Sequence, residues 1–199
     1  MENRLRICVS AGAFLSLALA ILILPLDWVF AWILAATIHE MFHYIALQLC
    51  RIPVFELQIT GFGAAMVVGP LSGWKAAFCA IAGPMGGLLL LLFLRWTPRT
   101  ALCGLLQTLF NLIPVYPFDG GRALQALLAG LFPNRPFLHN QVEMGIIIVF
   151  LLLIMYVSVK YRLGIWGLVL FCGLLVHHKK EKHLANFRQK GYNEISLNR

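Results

Sequence analysis

"ATIHEMFHYIAL", residues 36–47, places two histidines and a glutamate inside an apolar run that extends from Trp28 to Cys50. On insertion scales an ionisable group at the centre of a spanning helix costs about 2.5–3.5 kcal/mol. Something else in the chain must offset that cost. In a helix, His39 and His43 are four positions apart and lie on one face, a turn from each other. Two imidazoles at that spacing can ligate one zinc ion, and Glu40, beside the first, can reach a water on the metal. The other reading is a polar helix contact, with the histidines bonding across to neighbouring spans.

The composition says which solvent surrounds this run. The chain of 199 residues is 60% hydrophobic and only 12% charged, with a mean hydropathy of +0.82. Soluble domains carry about 25% charged residues, so the chain reads as an integral membrane protein. Crossing takes about 20 apolar residues. Six stretches qualify as spans: Ile7–Leu24, Trp28–Cys50, Trp74–Trp96, an interrupted Thr100–Phe132, Met144–Val159 and Gly164–Val176. The first follows Arg4 and Arg6 as a signal peptide would, but it is too long for an h-region, and it is read as a retained helix. The expected fold is all-α and polytopic, with about six transmembrane helices in one domain over residues 1–180. A basic cytoplasmic tail, 181–199, follows it.

The net charge of +8 is distributed asymmetrically. With a cytoplasmic N-terminus, twelve of the sixteen Lys and Arg residues fall on the cytoplasmic side. Arg95, Arg99, Lys160 and Arg162 fall on the other. This is a positive-inside pattern. It predicts that both termini are cytoplasmic, and that the tail "HHKKEKH", 177–183, anchors topology against anionic lipid rather than binding nucleic acid. Cys8, Cys50, Cys79, Cys103 and Cys172 form no CxxC pair and read as small apolar packing residues.

Two stretches resist a helical reading. In "PVFELQITGFGAAMVVGP", 53–70, Phe55, Leu57 and Ile59 alternate with Glu56, Gln58 and Thr60, a strand period. Gly61 and Gly63 supply a turn, and Ala64–Val68 can return as a second strand. Open strand edges cannot face lipid, so a membrane-associated β-hairpin between the second and third spans must lie against protein or at the interface. Such an edge can dock an extended peptide by strand addition, with Thr60, Gly61, Phe62 and Gly63 as its candidate docking residues. The other reading is a plain interfacial loop. In "NLIPVYPFDGGRAL", 111–124, Pro114, Pro117, Gly120 and Gly121 break the fourth span, and Asp119 sits at the far end of the break.

A catalytic zinc takes three protein ligands and keeps one position open. Glu2, Glu181 and Glu194 lie in tails, and Asp27 is predicted on the opposite side from the site. Glu56 falls on a strand, and Glu143 follows a polar loop, where it could still serve. His139 is in a loop, and His177, His178 and His183 are in the basic tail. Asp119 alone sits where a broken helix opens within the bundle. His43 lies seven residues before Cys50, about 10 Å along a helix. The break in the inward-running fourth span falls in the same cytoplasmic half.

"HEMFH", 39–43, followed two spans later by "NLIPVYPFDGG", 111–121, resembles the site-2 protease family of intramembrane zinc metalloproteases. The resemblance covers about residues 28–130, and "AGPMGG", 82–87, is similar to the family's third-span motif. It implies His39, His43 and Asp119 as ligands to one Zn2+ and Glu40 as catalytic acid/base. It further implies Asn111 as an aid to substrate or oxyanion binding, and the hairpin as a substrate clamp. Asn111 also reads as a cap of the helix break. Three positions depart from the common pattern: Phe42 where many members have a small residue, Phe118 where Leu is common, and Gly87 where many carry Asn. The short chain looks closest to the compact branch that includes the sporulation pro-sigma-factor processing proteases. That branch implies a bacterial plasma-membrane enzyme. Its expected partners are a transmembrane substrate, the lipid bilayer, and a regulatory membrane protein or further copies of itself. Competing readings are a metal transporter, a non-catalytic relative that holds membrane segments, and a prenyl-protein protease with glutamate as third ligand.

Overall fold

The computed structural model describes residues 6–160 apart from Phe62, Ser72, Asn134 and Arg135. The expected sixth span, Gly164–Val176, and the basic tail lie outside the described residues. Among the described residues six helices and three strands follow one another. Strand β1 (Arg6–Val9) leads into α1 (Ala11–Ile23) and α2 (Leu26–Leu49), and then β2 (Val54–Thr60) and β3 (Gly63–Val68). After them come α3 (Gly73–Leu89), α4 (Pro98–Asn111), α5 (Asp119–Leu131) and α6 (Pro136–Lys160). A 3₁₀ turn, Leu90–Phe93, extends α3.

The expectation of helices plus one hairpin is corrected at the N-terminus. Arg6–Val9 is not the start of a span but a third strand, parallel to β2, with Cys8 opposite Gln58 and Val9 opposite Ile59. Ile7 and Val9 alternate with Arg6 and Cys8, so an apolar run conceals a strand period. The remaining helix α1 has 13 residues, about 20 Å, short of a 30 Å hydrocarbon core. The sheet order is β1-β2-β3, with β2 and β3 antiparallel as the alternation predicts and a bulge at Phe55. Gly61 approaches the N-terminal helix closely: a Cβ there would lie 2.8 Å from the Gly12 carbonyl oxygen. Gly63 turns the chain at φ +136°.

Glu56 and Gln58 share one face of the sheet, where the Gln58 amide donates to Glu56 at 2.7 Å. Cys8 also bonds Glu56, and this holds its thiol above the ordinary range. The other face is apolar. Val54, Met66 and Val68 pack with Ala46 and Leu47 of α2, with Cys50 just after it, and with Cys79 of α3. A second cluster, Ala31, Ala35, Leu90, Ala101 and Cys103, joins the far end of α2 to the end of α3 and to α4. Small residues dominate both clusters and let the helix backbones approach. Between the clusters, on α2, lie residues 39–43.

Two of the described helical segments are long and apolar enough to cross a membrane, Leu26–Leu49 and Gly73–Phe93, with 28% and 44% of their apolar windows buried. Much of the remaining surface is apolar too. Leu22 is 82% exposed, Leu15 73% and Phe30 68%. Apolar surface of this extent suits lipid rather than water. The expected fourth span is two helices, α4 and α5, separated at residues 112–118. The fifth begins at Pro136, earlier than Met144. Arg99 pairs with Asp27 at 3.0 Å, which puts the N-termini of α2 and α4 at the same end of the molecule.

Candidate metal centre

Three elements bring the candidate ligands together. Helix α2 supplies His39 and His43 from one face, and α5 supplies Asp119 as its first residue. Both histidines turn Nε2 inward. Asp119 Oδ2 lies 3.1 Å from each, and the two Nε2 atoms are 3.2 Å apart. The rings meet edge to face, with centroids 4.8 Å apart. His39 and Asp119 are buried, and His43 nearly so. Among the described residues these three form the one group of His, Cys, Asp or Glu side chains with ligand spacing.

The third wall, α3, runs antiparallel to α2 and supplies no ligand. It sets the geometry. His43 Nδ1–H donates to the Cys79 carbonyl oxygen at 2.7 Å, leaving a lone pair on Nε2. A Cβ on Gly83 would collide with His43 Nε2 and lie 2.7 Å from His39 Nε2, so only glycine leaves that flank open.

The donor set fits zinc. Atoms bound tetrahedrally at about 2.0–2.1 Å sit roughly 3.3 Å apart, close to the spacing here. Two neutral imidazoles and a carboxylate are the ligand types zinc takes in hydrolases. Glu40, half-buried beside the triad, interacts electrostatically with His39, His43, Asp119 and Arg122. Arg122, one turn into α5, lies 5.9 Å over the Tyr116 ring.

The break that frees Asp119 is tightly wound. Val115 N–H donates to the Ile113 carbonyl at 2.8 Å and Phe118 N–H to the Val115 carbonyl at 3.0 Å, so Pro114 and Pro117 fall within short turns. A Cβ on Gly120 would lie 2.8 Å from the Ile113 carbonyl oxygen, and one on Gly121 2.5 Å from that of Val115. The paired glycines let α5 start directly against this loop. Asn111 is the last residue of α4, half-buried, at the near side of the break.

Two departures from the family pattern are matched by partners across the bundle. The Phe42 ring fills the space that a Cβ on Gly86 would take, with ring carbons 2.7 Å from that position. Gly87 leaves room for the Thr108 hydroxyl, which donates to the Pro84 carbonyl at 3.0 Å. Of the candidate docking residues, Thr60, Gly61 and Gly63 form the hairpin tip, where Thr60 Oγ1 donates to the Gly63 carbonyl at 2.9 Å. Phe62 lies outside the described residues, as do His177, His178 and His183 and the side chains of His139 and Glu143. Gly83 and the Cys79 carbonyl escape a sequence reading of roles. The first appears there only as part of "AGPMGG", and a backbone carbonyl leaves no side-chain signal.

Among solved structures this fold is similar to the site-2 protease from Methanocaldococcus jannaschii, with a TM-score of 0.61 over 91% of this chain and 92% of that one. The chain has the site-2 protease fold. Sequence identity over the alignment is 18%. No protein-family model and no curated protein sequence matches the chain.

Proposed function

We propose that this chain is an intramembrane zinc metalloendopeptidase that hydrolyses peptide bonds in or near transmembrane segments of membrane-protein substrates. The observation that carries the reading is the convergence of His39, His43 and Asp119 within 3.2 Å, beside Glu40, inside a site-2 protease fold. His39, His43 and Asp119 would hold the ion. Zinc bound there supplies Lewis acidity, polarising a substrate carbonyl and making water nucleophilic near neutral pH.

The chain's own groups do the rest. Glu40 takes the proton of the attacking water and delivers it to the leaving amine nitrogen. Asn111 donates its side-chain amide to the carbonyl oxygen as negative charge develops, a contribution worth roughly 3–4 kcal/mol in other hydrolases. A substrate helix hides its peptide bonds in its own hydrogen-bond ladder and must unwind first. Among the described residues strand β2 is paired on both sides, so an unwound segment would add to an outer strand of the sheet, and β3 offers the edge that belongs to the hairpin. Water reaches the site past the break at residues 112–118.

The charge asymmetry supports a membrane protein with cytoplasmic termini and the site in the cytoplasmic half. The direct test is co-expression with single-span substrates, followed by mass mapping of fragments. A cut within or beside the span by the wild type, absent with Glu40→Gln, supports the reading. Identical fragments from both chains would reject it.

A further inference from the structure

Gly83 is buried on the face of α3 that meets α2. The three atoms nearest to a Cβ built on it all belong to imidazoles: Nε2 and Cε1 of His43 and Nε2 of His39, the second at 2.6 Å and the third at 2.7 Å. Separations below 3.0 Å are essentially never seen for a real Cβ. Its neighbours on the same helix differ. At Gly86 the nearest atoms belong to the Phe42 side chain, and at Gly87 to Thr108 and the Gly104 backbone. Gly83 alone among these faces the inward nitrogens.

We propose that Gly83 is a positioning residue of the metal centre, whose missing side chain keeps both Nε2 lone pairs clear for the ion. The inference rests on reading the triad as a metal site. Its physical basis is a difference between two states. Imidazoles are the far ends of side chains and can swing aside when nothing holds them. An ion bound by both nitrogens removes that freedom, whereas the bond from His43 to the Cys79 carbonyl is a single hydrogen bond that the ring can give up. A methyl group at position 83 is therefore tolerated by the metal-free protein and opposed by the loaded one. The penalty falls on zinc binding rather than on folding.

The test compares wild type, Gly83→Ala and Gly86→Ala in detergent. Each is stripped with chelator, melted, and then titrated with zinc against a competing chelator. Stripped Gly83→Ala should melt within a few degrees of the stripped wild type and bind zinc at least about tenfold more weakly, equivalent to about 1.4 kcal/mol. Gly86→Ala, whose new methyl meets Phe42 instead, should keep wild-type affinity. The proposal is overturned if Gly83→Ala binds zinc within about twofold of wild type. It is equally overturned if stripped Gly83→Ala fails to fold, which would make Gly83 a packing residue. A wild-type chain that binds no zinc would remove the metal-centre reading itself, an outcome distinct from both.

Discussion

His43 donates from Nδ1 to the carbonyl oxygen of Cys79 at 2.7 Å, across the α2–α3 interface. This bond selects the tautomer that leaves Nε2 as an electron-pair donor facing Asp119. Outer contacts of this kind orient metal-ligating histidines and raise their basicity. Helix α3 thus contributes to the site without contributing a ligand, and the predictions below follow from this division of labour.

Replacing Asp119 with alanine removes a ligand while leaving α2 and its histidines in place. Zinc affinity should fall by more than the roughly 10–100-fold that loss of an outer partner costs. Zinc content after a chelator challenge measures this. Retention equal to wild type would exclude Asp119 as a ligand.

Glu40→Gln keeps the shape of the side chain and removes its capacity to carry a proton. Zinc content and melting temperature should stay at wild-type values while peptide cleavage falls by about 10²–10⁴-fold. A variant that loses its metal would show instead that Glu40 shapes the ligand set.

Phe42 and Gly86 should behave as one unit, because the ring occupies the space of the absent methyl. Gly86→Ala overpacks this contact and should cost about 1–3 kcal/mol. Combined with Phe42→Ala, it should cost less than the sum of the two single changes, with a coupling of about 0.5–3 kcal/mol. Strict additivity in thermal melts would refute the contact.

Gly87→Ala should be less easily relieved. A Cβ there collides with the Thr108 hydroxyl but also lies 2.8 Å from the backbone carbonyl oxygen of Gly104. Trimming Thr108 to Ala as well leaves the carbonyl in place. The double variant should therefore remain destabilised relative to Thr108→Ala alone, as melting of the two proteins would report.

The cluster of His39, His43 and Asp119 was legible in the sequence because its signals are local. His39 and His43 declare themselves by helical spacing within an apolar run, and Asp119 by the proline and glycine break before it. The hairpin was legible from the alternation of Phe55 through Thr60. Strand β1 was not, because Cys8 between Ile7 and Val9 is itself apolar and hides the period. The pairing of Phe42 with Gly86, of Thr108 with Gly87, and of both histidines with Gly83 depends on how α2, α3 and α4 face one another. No single segment encodes that arrangement. Phe42 and Gly87 look like anomalies until their partners are seen across the bundle.

The central claim is that one zinc ion is held by two imidazoles and one carboxylate. X-ray absorption at the zinc edge of the purified protein tests it most directly. The account predicts a shell of nitrogen and oxygen only, at about 2.0–2.1 Å, with the outer scattering of two imidazoles that drops to one in His39→Ala. A sulfur neighbour at about 2.3 Å, or a spectrum unchanged in His39→Ala, would contradict it.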